Sequence, residues 1–474
     1  MVRGELRLEG FTWRPLGRRV PVVADLDLHV EAGSRVLLAG PSGAGKSTLL
    51  HALVGALGTT IAGELSGSVR VDGRVGFVPQ QPGDAVVAER VGRDVAFGPE
   101  NVGLDRDETW RRVDAGLAAV GLHQGRDHPT AALSGGELQR LALAGVLALE
   151  PDVVLLDEPT SMLDPAHASA VREAVGRTVG GGRATLVVVE HHLEPWLDLV
   201  DRVVVLGDDG SVVADTTPDE FLRDHRDRLG ELGVWMPGLP APRPITVDPA
   251  LVRPERPLPT LTASDLTVRL RSRSLRGSTT TTALCGVDAA VAPGALTALT
   301  GPSGAGKSTL LAAFGGLLDP DGGSVTGLVP ALASRRSRDL ARDVGWSPQV
   351  PEHGFLAPTV AGEVALTAQR SGRAVDAQAW LELVGLGHLA GAHPYRLSGG
   401  EQRRLSILAA AAHRPGLLLL DEPTVGQDRV TWAAVAGIAV AAAAAGVVVA
   451  TATHDGLLVD LADEVVELRA GVRT

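Results

Sequence analysis

The sequence of 474 residues contains a single cysteine, Cys285, and only 3% aromatic residues. One thiol excludes an internal disulfide framework and a cysteine-based metal site, and it is typical of a protein of the reducing cytosol. An excess of basic residues is also absent, because the formal net charge is -12. Proteins that wrap nucleic acid present a basic face to the phosphates, so we expect no nucleic-acid partner.

Long hydrophobic runs are scarce, with one exception between Trp432 and Ala450, where 19 residues carry no charged or polar side chain. That length could cross a bilayer. The run is mostly alanine, however, and its end from Val447 is β-branched. We therefore predict an alanine-rich helix followed by a buried strand rather than a membrane span. The charged N-terminus, from Met1 to Leu6, does not resemble a signal peptide.

Glycine, by contrast, is abundant, and part of it lies in one nonapeptide that occurs twice. The pattern Gly-x-x-x-x-Gly-Lys-Ser directs backbone N–H groups and a lysine at nucleotide phosphates, and its serine hydroxyl is offered to Mg²⁺. A chance glycine turn before a helix is the alternative, and the duplication weakens it. The predicted ATP-binding residues of the two loops are Gly40, Pro41, Ser42, Gly43, Ala44, Gly45, Lys46, Ser47, Thr48, Gly301, Pro302, Ser303, Gly304, Ala305, Gly306, Lys307, Ser308 and Thr309.

The remaining motifs repeat in the same order, so the chain is one module written twice. Between the copies, residues 236–260 contain eight prolines, a composition that favours extended chain. We therefore predict a first nucleotide-binding domain over 1–235, a proline-rich linker over 236–260 and a second nucleotide-binding domain over 261–474.

Short apolar runs alternate with helical stretches in each copy. The runs at 153–156, 186–189, 417–420 and 447–450 are apolar throughout, as expected of strands buried in a parallel sheet. We predict an α/β fold with a mostly parallel sheet in each copy and ligands at the carboxyl ends of the strands. The stretches between Gln80 and Ser134 and between Gln349 and Ser398 lack such runs, so we predict a helical subdomain in each.

Two of the apolar runs end in Asp-Glu-Pro-Thr. Adjacent carboxylates at a buried strand end are costly unless a cation compensates them. We predict that Asp157 and Asp421 serve Mg²⁺, and that Glu158 and Glu422 activate the water that attacks the γ-phosphate. A simple turn after a strand is the alternative, and the phosphate loop upstream makes it the weaker one.

Leu-Ser-Gly-Gly-Glu occurs at 133–137 and at 397–401, each time before a run rich in leucine and alanine. The serine would cap a helix, which is the simple structural interpretation. A capped helix N-terminus with two glycines also lets backbone N–H groups approach an anion. We therefore predict a second phosphate-binding element in each copy, made of Ser134, Gly135, Gly136, Ser398, Gly399 and Gly400.

With these motifs in this order, followed by a strand-end histidine, the chain resembles the ATPase subunits of ATP-binding cassette (ABC) transporters over nearly its whole length. The resemblance implies two cassettes that pair head to tail within the chain. Each ATP would then lie between the phosphate loop of one cassette and the Leu-Ser-Gly-Gly-Glu stretch of the other. The implied catalytic residues are Glu158, Glu422, His191, His454, Gln80 and Gln349. The implied Mg²⁺ ligands are Ser47, Gln80, Asp157, Ser308, Gln349 and Asp421.

The family pattern assigns a contact with the γ-phosphate to the histidines, and a link from Mg²⁺ and water to the partner surface to the glutamines. A lone strand-end histidine would more simply be a structural hydrogen-bonding residue. His191 follows Glu190, where the family more often has threonine, so His192 is an alternative to His191. Thr453-His454 fits the family pattern directly.

The copies also differ. Trp13 falls where the family stacks an aromatic ring on adenine, whereas Arg269 stands near the matching point of the second copy. The loop at 161–164 is close to the usual family sequence and the loop at 425–428 is not. We therefore expect the two ATP sites to differ in affinity or rate.

Residues 94–101, Asp-Val-Ala-Phe-Gly-Pro-Glu-Asn, are similar to a sequence typical of energy-coupling-factor and cobalt-type importer ATPases. The resemblance implies a peripheral ATPase on the cytoplasmic face of the cell membrane. Its partners would be an integral membrane transport subunit and a substrate-binding membrane component, for import of a vitamin, vitamin precursor or metal ion. The alternatives are the ATPase of another ABC importer or exporter, and a soluble tandem-cassette ATPase that acts on ribosomes. The proline-rich linker and the acidic charge argue against the ribosomal alternative.

Overall fold

A computed structural model describes residues 3–18, 20–161, 163, 165–274, 277–327 and 336–473. Two positions of the first loop compared above, Met162 and Asp164, lie outside this set. The chain divides between Pro240 and Ala241 into two compact units. We call the units the first and the second cassette.

The first cassette contains the strands β1 (Leu6–Pro15), β2 (Val23–Val30), β3 (Arg35–Ala39), β4 (Gly63–Val71), β5 (Val75–Val78), β6 (Val153–Asp157), β7 (Thr185–Val189), β8 (Arg202–Leu206) and β9 (Val212–Thr216). Its helices are α1 (Lys46–Leu53), α2 (Val91–Asn101), α3 (Arg106–Ala119), α4 (Gly135–Leu149), α5 (Pro165–Val179), α6 (Glu194–Leu197), α7 (Pro218–Asp224) and α8 (Arg226–Glu231).

The second cassette begins with α9 (Pro249–Val252). Its strands are β10 (Leu261–Ser274), β11 (Gly277–Val291), β12 (Leu296–Thr300), β13 (Gly322–Thr326), β14 (Val344–Ser347), β15 (Leu417–Asp421), β16 (Val448–Ala452), β17 (Glu464–Arg469) and β18 (Val472–Arg473). Its other helices are α10 (Lys307–Phe314), α11 (Ser337–Asp343), α12 (Val360–Arg370), α13 (Ala377–Leu383), α14 (Gly399–Ala411), α15 (Arg429–Ala444) and α16 (Gly456–Val459).

Each cassette has a six-stranded sheet at its centre, in the order β5-β6-β7-β3-β8-β9 in the first and β14-β15-β16-β12-β17-β18 in the second. All neighbours are parallel except the last pair of each sheet. Strands β6, β7, β15 and β16 are buried along their whole length, which explains their continuous apolar sequence. These sheets confirm the predicted α/β fold and bring the ends of β3, β6 and β7 together at one edge.

Two further features of the fold agree with the sequence. Helices α2 and α3 occupy the stretch between Gln80 and Ser134, and α12 and α13 occupy the stretch between Gln349 and Ser398, so the helical subdomains are confirmed. A three-stranded antiparallel sheet, which we did not predict, completes each cassette in the order β2-β1-β4 or β11-β10-β13.

The alanine-rich run forms helix α15 and then strand β16, as predicted. Eleven residues of α15 are buried, and six of these belong to a core shared with β12, β15 and α14. Among the described residues, none of the helices combines the length and the apolar character that a membrane span requires.

The proline-rich segment 236–260 packs against both cassettes in turn. Met236 lies in the core of the first cassette, whereas Val247 and Val252 lie in the core of the second cassette. The N–H of Ile245 donates to the carbonyl oxygen of Ala433 in α15 at 3.0 Å. The part of the predicted linker from Ile245 to Val252 therefore packs on α15.

Candidate functional site

The phosphate loops begin where β3 and β12 end. Gly40 and Gly45 have φ values of 146° and 90°, which side-chain-bearing residues rarely adopt. A Cβ atom on Gly40 would lie 2.6 Å from the carbonyl oxygen of Leu206, and one on Gly45 would lie 2.6 Å from Cγ2 of Val23. Only glycine fits these positions, so the loop stays close to the backbone around it and its own N–H groups are accessible to phosphate oxygens.

The lysines of the two loops lie over their own backbone. Nζ of Lys46 donates to the carbonyl oxygens of Gly40 at 2.9 Å and Pro41 at 2.8 Å, and the residue is 7% exposed. Nζ of Lys307 donates to the carbonyl oxygens of Gly301 at 2.8 Å and Pro302 at 3.2 Å. Each ammonium group is therefore held within its loop, where it can neutralise phosphate charge.

A serine and an aspartate, contributed by different elements, meet beside each loop. Oγ of Ser47 donates to Oδ1 of Asp157 at 3.1 Å, and Oγ of Ser308 donates to Oδ1 of Asp421 at 3.0 Å. Burial, followed by the charge of the neighbouring Glu158, raises the pKa of Asp157 to about 7. Burial likewise raises the pKa of Asp421 to about 6, although the hydrogen bond from Ser308 opposes it.

This serine–aspartate pair fits Mg²⁺. A hydroxyl and a carboxylate are the oxygen donors that Mg²⁺ prefers. The raised pKa of Asp157 means that the protein alone offers too little positive charge to stabilise its ionised carboxylate. A bound divalent cation would supply that positive charge. Together with the glycine cradle and the lysine, the residues present are those that MgATP requires.

Glu158 joins three elements at the end of β6. It has a left-handed φ of 50°, and its N–H donates to the carbonyl oxygen of Val189 at 2.9 Å. Its Oε1 accepts a hydrogen bond from Nε2 of Gln80 at 2.8 Å and lies 2.8 Å from Nε2 of His191. Its Oε2 is buried and has no hydrogen-bond partner among the described residues. One carboxylate oxygen is therefore held in place, and the other is left for a group that binds at the site.

The charges at this site depend on each other. Burial alone would raise the pKa of Glu158, but the charge of His191 and the hydrogen bonds from His191 and Gln80 bring it below its ordinary value. Burial by itself would lower the pKa of His191. The negative charge of Glu158 and its hydrogen bond outweigh this effect, so the pKa of His191 lies above its ordinary value. The pair therefore favours a carboxylate beside an imidazolium.

The second cassette repeats the pairing with a different ring nitrogen. Nδ1 of His454 lies 3.0 Å from Oε2 of Glu422. Glu422 also has a left-handed φ, of 51°, and its N–H donates to the carbonyl oxygen of Ala452 at 2.9 Å. Burial opposes protonation of His454, but the hydrogen bond with Glu422 raises its pKa overall.

Of the two adjacent histidines in the first cassette, His191 faces the carboxylate. The ring of His192 instead stacks on Trp235, with centroids 5.1 Å apart. This geometry supports His191 as the histidine of the first site.

Ser134 and Ser398 begin helices α4 and α14. Each serine accepts a hydrogen bond from the N–H of the glutamate three residues later, Glu137 or Glu401, and that glutamate bonds back to the serine N–H. This reciprocal arrangement is a capping box. The two glycines are the first helical residues, where backbone N–H groups have no intrahelical acceptor.

Trp13 is 2% exposed and lies in the apolar core beneath the first phosphate loop. Its indole fills the space beside Gly63, where an added Cβ atom would lie 2.5 Å from the ring. The ring would have to leave this position before it could stack on adenine. Arg269 is exposed on β10.

Arg403 is a residue of the second site that we did not identify from the sequence. Its guanidinium is buried and donates to the carbonyl oxygens of Glu422 at 2.8 Å and Gln349 at 2.9 Å. It thereby connects α14 to the backbone of two predicted catalytic residues. The first cassette has Gln139 in this place, and in the part of the chain that the structure describes neither amide atom of Gln139 has a hydrogen-bond partner. The signal in the sequence was one of two adjacent differences between otherwise matching helix starts, Leu138-Gln139 in the first cassette and Gln402-Arg403 in the second.

A groove of about 450 Å³ in the second cassette lies beside the residues that precede Gln349. Its wall includes the apolar side chains of Leu317, Trp346, Phe355 and Leu356, and Leu356 is 82% exposed. In the first cassette, Phe97 of α2 is 50% exposed. Both cassettes thus present apolar side chains to solvent at their helical subdomains.

Comparison with known proteins gives a consistent result. The family model described as ABC transporter matches residues 23–161 and 284–425. An ABC transporter ATP-binding protein of Streptomyces coelicolor, by its name, is 37% identical and covers 96% of this chain and 90% of its own length. A Bacillus subtilis protein named as an HMP/thiamine import ATP-binding protein is 32% identical and covers 94% of this chain and 87% of its own length.

Among solved structures, an archaeal ribosome recycling factor in complex with a ribosomal stalk protein covers 98% of this chain and 89% of its own chain. Its TM-score is 0.59 and its sequence identity is 22%. This likeness concerns the tandem fold alone.

Proposed function

The chain belongs to the family of ABC transporter ATP-binding proteins, and from this premise we propose that it is the energy-coupling ATPase of a membrane importer. The importer would be of the energy-coupling-factor type and would carry a vitamin, a vitamin precursor or a metal ion. The name of the Bacillus subtilis relative and the sequence at 94–101 support this substrate class.

One observation carries the catalytic part of the proposal. In both cassettes a buried glutamate with a left-handed backbone contacts the strand-end histidine, directly beside an aspartate bonded to the phosphate-loop serine. Such a cluster of buried charges is costly without a ligand that compensates it. Mg²⁺ would compensate the carboxylates where the phosphate loop ends, and the phosphates of the nucleotide would face the lysine and the backbone N–H groups of the loop.

Ser47 with Asp157, and Ser308 with Asp421, would hold Mg²⁺, which would supply positive charge beside the phosphates. The protein residues do the remaining work. Glu158 and Glu422 orient the attacking water and accept its proton, and the histidines hold the glutamates and contact the γ-phosphate. The lysines fix the phosphates at the glycine loop, so the reacting groups meet in line.

We further propose that the two cassettes close on ATP head to tail. Ser134 and Ser398 begin helices whose N-terminal N–H groups are suited to bind an anion. In this arrangement Ser398 completes the site that contains Glu158, and Ser134 completes the site that contains Glu422. Closure and opening of the pair would drive the membrane subunit.

The exposed apolar side chains at the helical subdomains support an integral membrane partner. Phe97 belongs to the importer-like sequence and is half exposed, and Leu356 stands at the rim of the apolar groove. Exposed aromatic and aliphatic side chains beside a groove are typical of a docking site.

A crosslinking experiment in native membranes tests the proposal. Because Cys285 is the only cysteine, a Cys285→Ser chain can carry a single new thiol at Leu356 or Phe97. We expect a thiol-reactive crosslinker to join each of these to an integral membrane protein. Val472, 46% exposed on β18, provides the matched control position, where we expect no such product. Ribosomal proteins or ribosomal RNA in the crosslinked material would contradict the transport function.

A further inference from the structure

Glu190, the residue before His191, has a buried carboxylate that the proposed function does not use. It is 4% exposed. Its Oε1 accepts one hydrogen bond from the N–H of Thr160 at 2.9 Å and another from Oγ1 of Thr160 at 2.5 Å. Thr160 stands two residues after Glu158, so Glu190 holds the segment that carries the predicted water-activating residue.

A second contact joins the same segment to the end of β7, where the N–H of Glu158 donates to the carbonyl oxygen of Val189 at 2.9 Å. The left-handed backbone at Glu158 turns the chain between the two attachments. The segment from Glu158 to Thr160 is thereby fixed to the same strand end that carries His191.

Of these two contacts, the second cassette keeps the one made by the backbone N–H of the glutamate. The N–H of Glu422 donates to the carbonyl oxygen of Ala452, as in the first cassette. The position of Glu190, however, is taken by Thr453, whose Oγ1 accepts a hydrogen bond from the N–H of Asp455. The hydroxyl of Thr424, which corresponds to Thr160, is buried and has no hydrogen-bond partner among the described residues.

We propose that Glu190 is a positioning residue of the first ATP site, which holds Glu158 and His191 at a fixed separation during turnover by accepting both hydrogen bonds of Thr160. The inference rests on the proposed role of Glu158. Burial raises the pKa of Glu190 to about 7, and the Thr160 hydroxyl counteracts part of that rise. A polar group that is 4% exposed is costly unless it is hydrogen-bonded, so the two bonds from Thr160 contribute to keeping this side chain in place.

The test uses the full chain with Glu422→Gln, so that ATP turnover reports the first site. We expect Glu190→Ala to lower kcat about tenfold and to change KM for ATP less than about twofold, because misplaced reacting groups slow the chemical step. Glu190→Gln should keep kcat within about twofold of the parent, because the amide oxygen still accepts both bonds. An unchanged kcat in Glu190→Ala, or no rescue by Gln, would overturn the inference.

A double-mutant cycle guards against a general loss of structure. Thr160→Val removes the hydroxyl donor and keeps the N–H donor. If Glu190 acts through Thr160, the double variant should lose little more kcat than Glu190→Ala alone. If the loss of kcat in the double variant equals the product of the losses in the two single variants, the inference is wrong. It is also wrong if the affinity for ATP falls as much as kcat does.

The failure of the proposed function has a different signature. If Glu158→Gln in the same background abolishes turnover and Glu190→Ala does not lower it, only the positioning role is wrong. If Glu158→Gln leaves turnover unchanged, the proposed catalytic role of Glu158 is wrong, and the positioning role is wrong with it.

Discussion

The two cassettes agree closely in the groups that would touch a nucleotide and differ in the groups that hold them. Both have a lysine bonded to its own loop, a serine–aspartate pair and a glutamate–histidine pair. The backbone hydrogen bond of each glutamate is shared as well, but two side-chain contacts are not, since Glu190 accepts from Thr160 in the first cassette and Arg403 donates to Glu422 in the second. The two sites therefore have similar reacting groups, but different side-chain contacts hold these groups in place.

Helices α5 and α15 also differ between the cassettes in the contacts that hold them. In α5, Arg172 and Arg177 reach the carbonyl oxygens of Pro195 and Ala119. Helix α15 has no charged residue after Arg429, and the segment around Val247 and Val252 covers it. The apolar helix α15 is therefore covered by residues 245–252 of the same cassette, which pack on it.

The largest expected effect tests the shared chemistry. Glu158→Gln and Glu422→Gln should each stop turnover at their own site, because an amide cannot take the proton of the attacking water. We expect the double variant to lose about 100-fold or more of the ATPase rate. Phosphate release from the two single variants then measures how unequal the sites are. Full activity in the double variant would mean that these are not the catalytic carboxylates.

The next effect tests the head-to-tail pairing. With Glu422→Gln, only the site of Glu158 turns over, and we expect Ser398→Ala to slow it about 10-fold or more while Ser134→Ala leaves it nearly unchanged. With Glu158→Gln the two serine variants should exchange roles. Each serine variant loses the same helix cap, so each is the control for the other. If the serine of the same cassette mattered instead, each cassette would form its site alone.

The sequence was sufficient for the fold and for most of these residues, because the constraints are local. A buried strand must be apolar, and a glycine that faces the backbone of Leu206 cannot be replaced, so β6 and the loop at Gly40 are visible as patterns. The roles of Arg403 and of the linker depend on packing between segments far apart in the chain. The same holds for Trp13, whose burial beside Gly63 has no signature in its own segment.

The next prediction compares the stability that Arg403 contributes to the second cassette with the stability that Gln139 contributes to the first. Arg403→Gln installs the residue of the first cassette and leaves the carbonyl groups of Glu422 and Gln349 without their buried donor. We expect it to destabilise the second cassette by about 2 kcal/mol. Gln139→Leu is the comparison change in the first cassette, and it should cost less than about 0.5 kcal/mol, since the buried amide there has no hydrogen-bond partner to lose among the residues that the structure describes. Hydrogen exchange in β15 and β6 would measure both, and equal effects would contradict the assigned asymmetry.

The linker over α15 can be tested by one core substitution. Val252→Ala removes a side chain that is 2% exposed, so we expect the second cassette to lose about 1.5 kcal/mol. Thr246→Ala, at an exposed position of the same segment, is the control and should have no measurable effect. We also expect slow exchange of the Ile245 amide, which bonds to Ala433. Fast exchange, with no loss of stability in Val252→Ala, would show that the segment is a free tether in solution.

The smallest expected effect concerns pH, and it again separates the cassettes. Burial raises the pKa of Glu190 to about 7 from an ordinary value near 4.5. Between about pH 5 and pH 7 the carboxyl group is therefore protonated in the folded protein, whereas it is ionised in the unfolded chain. The free energy of unfolding should therefore fall as pH rises through this window, by about 1 kcal/mol per pH unit from this group.

Glu190→Gln removes the titration, so its midpoint of thermal unfolding, relative to the parent, should rise by about 3 °C per pH unit across the same range. Thr453→Ala in the second cassette replaces a residue that does not titrate, and its difference from the parent should stay constant with pH. A constant difference for Glu190→Gln as well would mean that the carboxyl group is already ionised in the folded protein at pH 5.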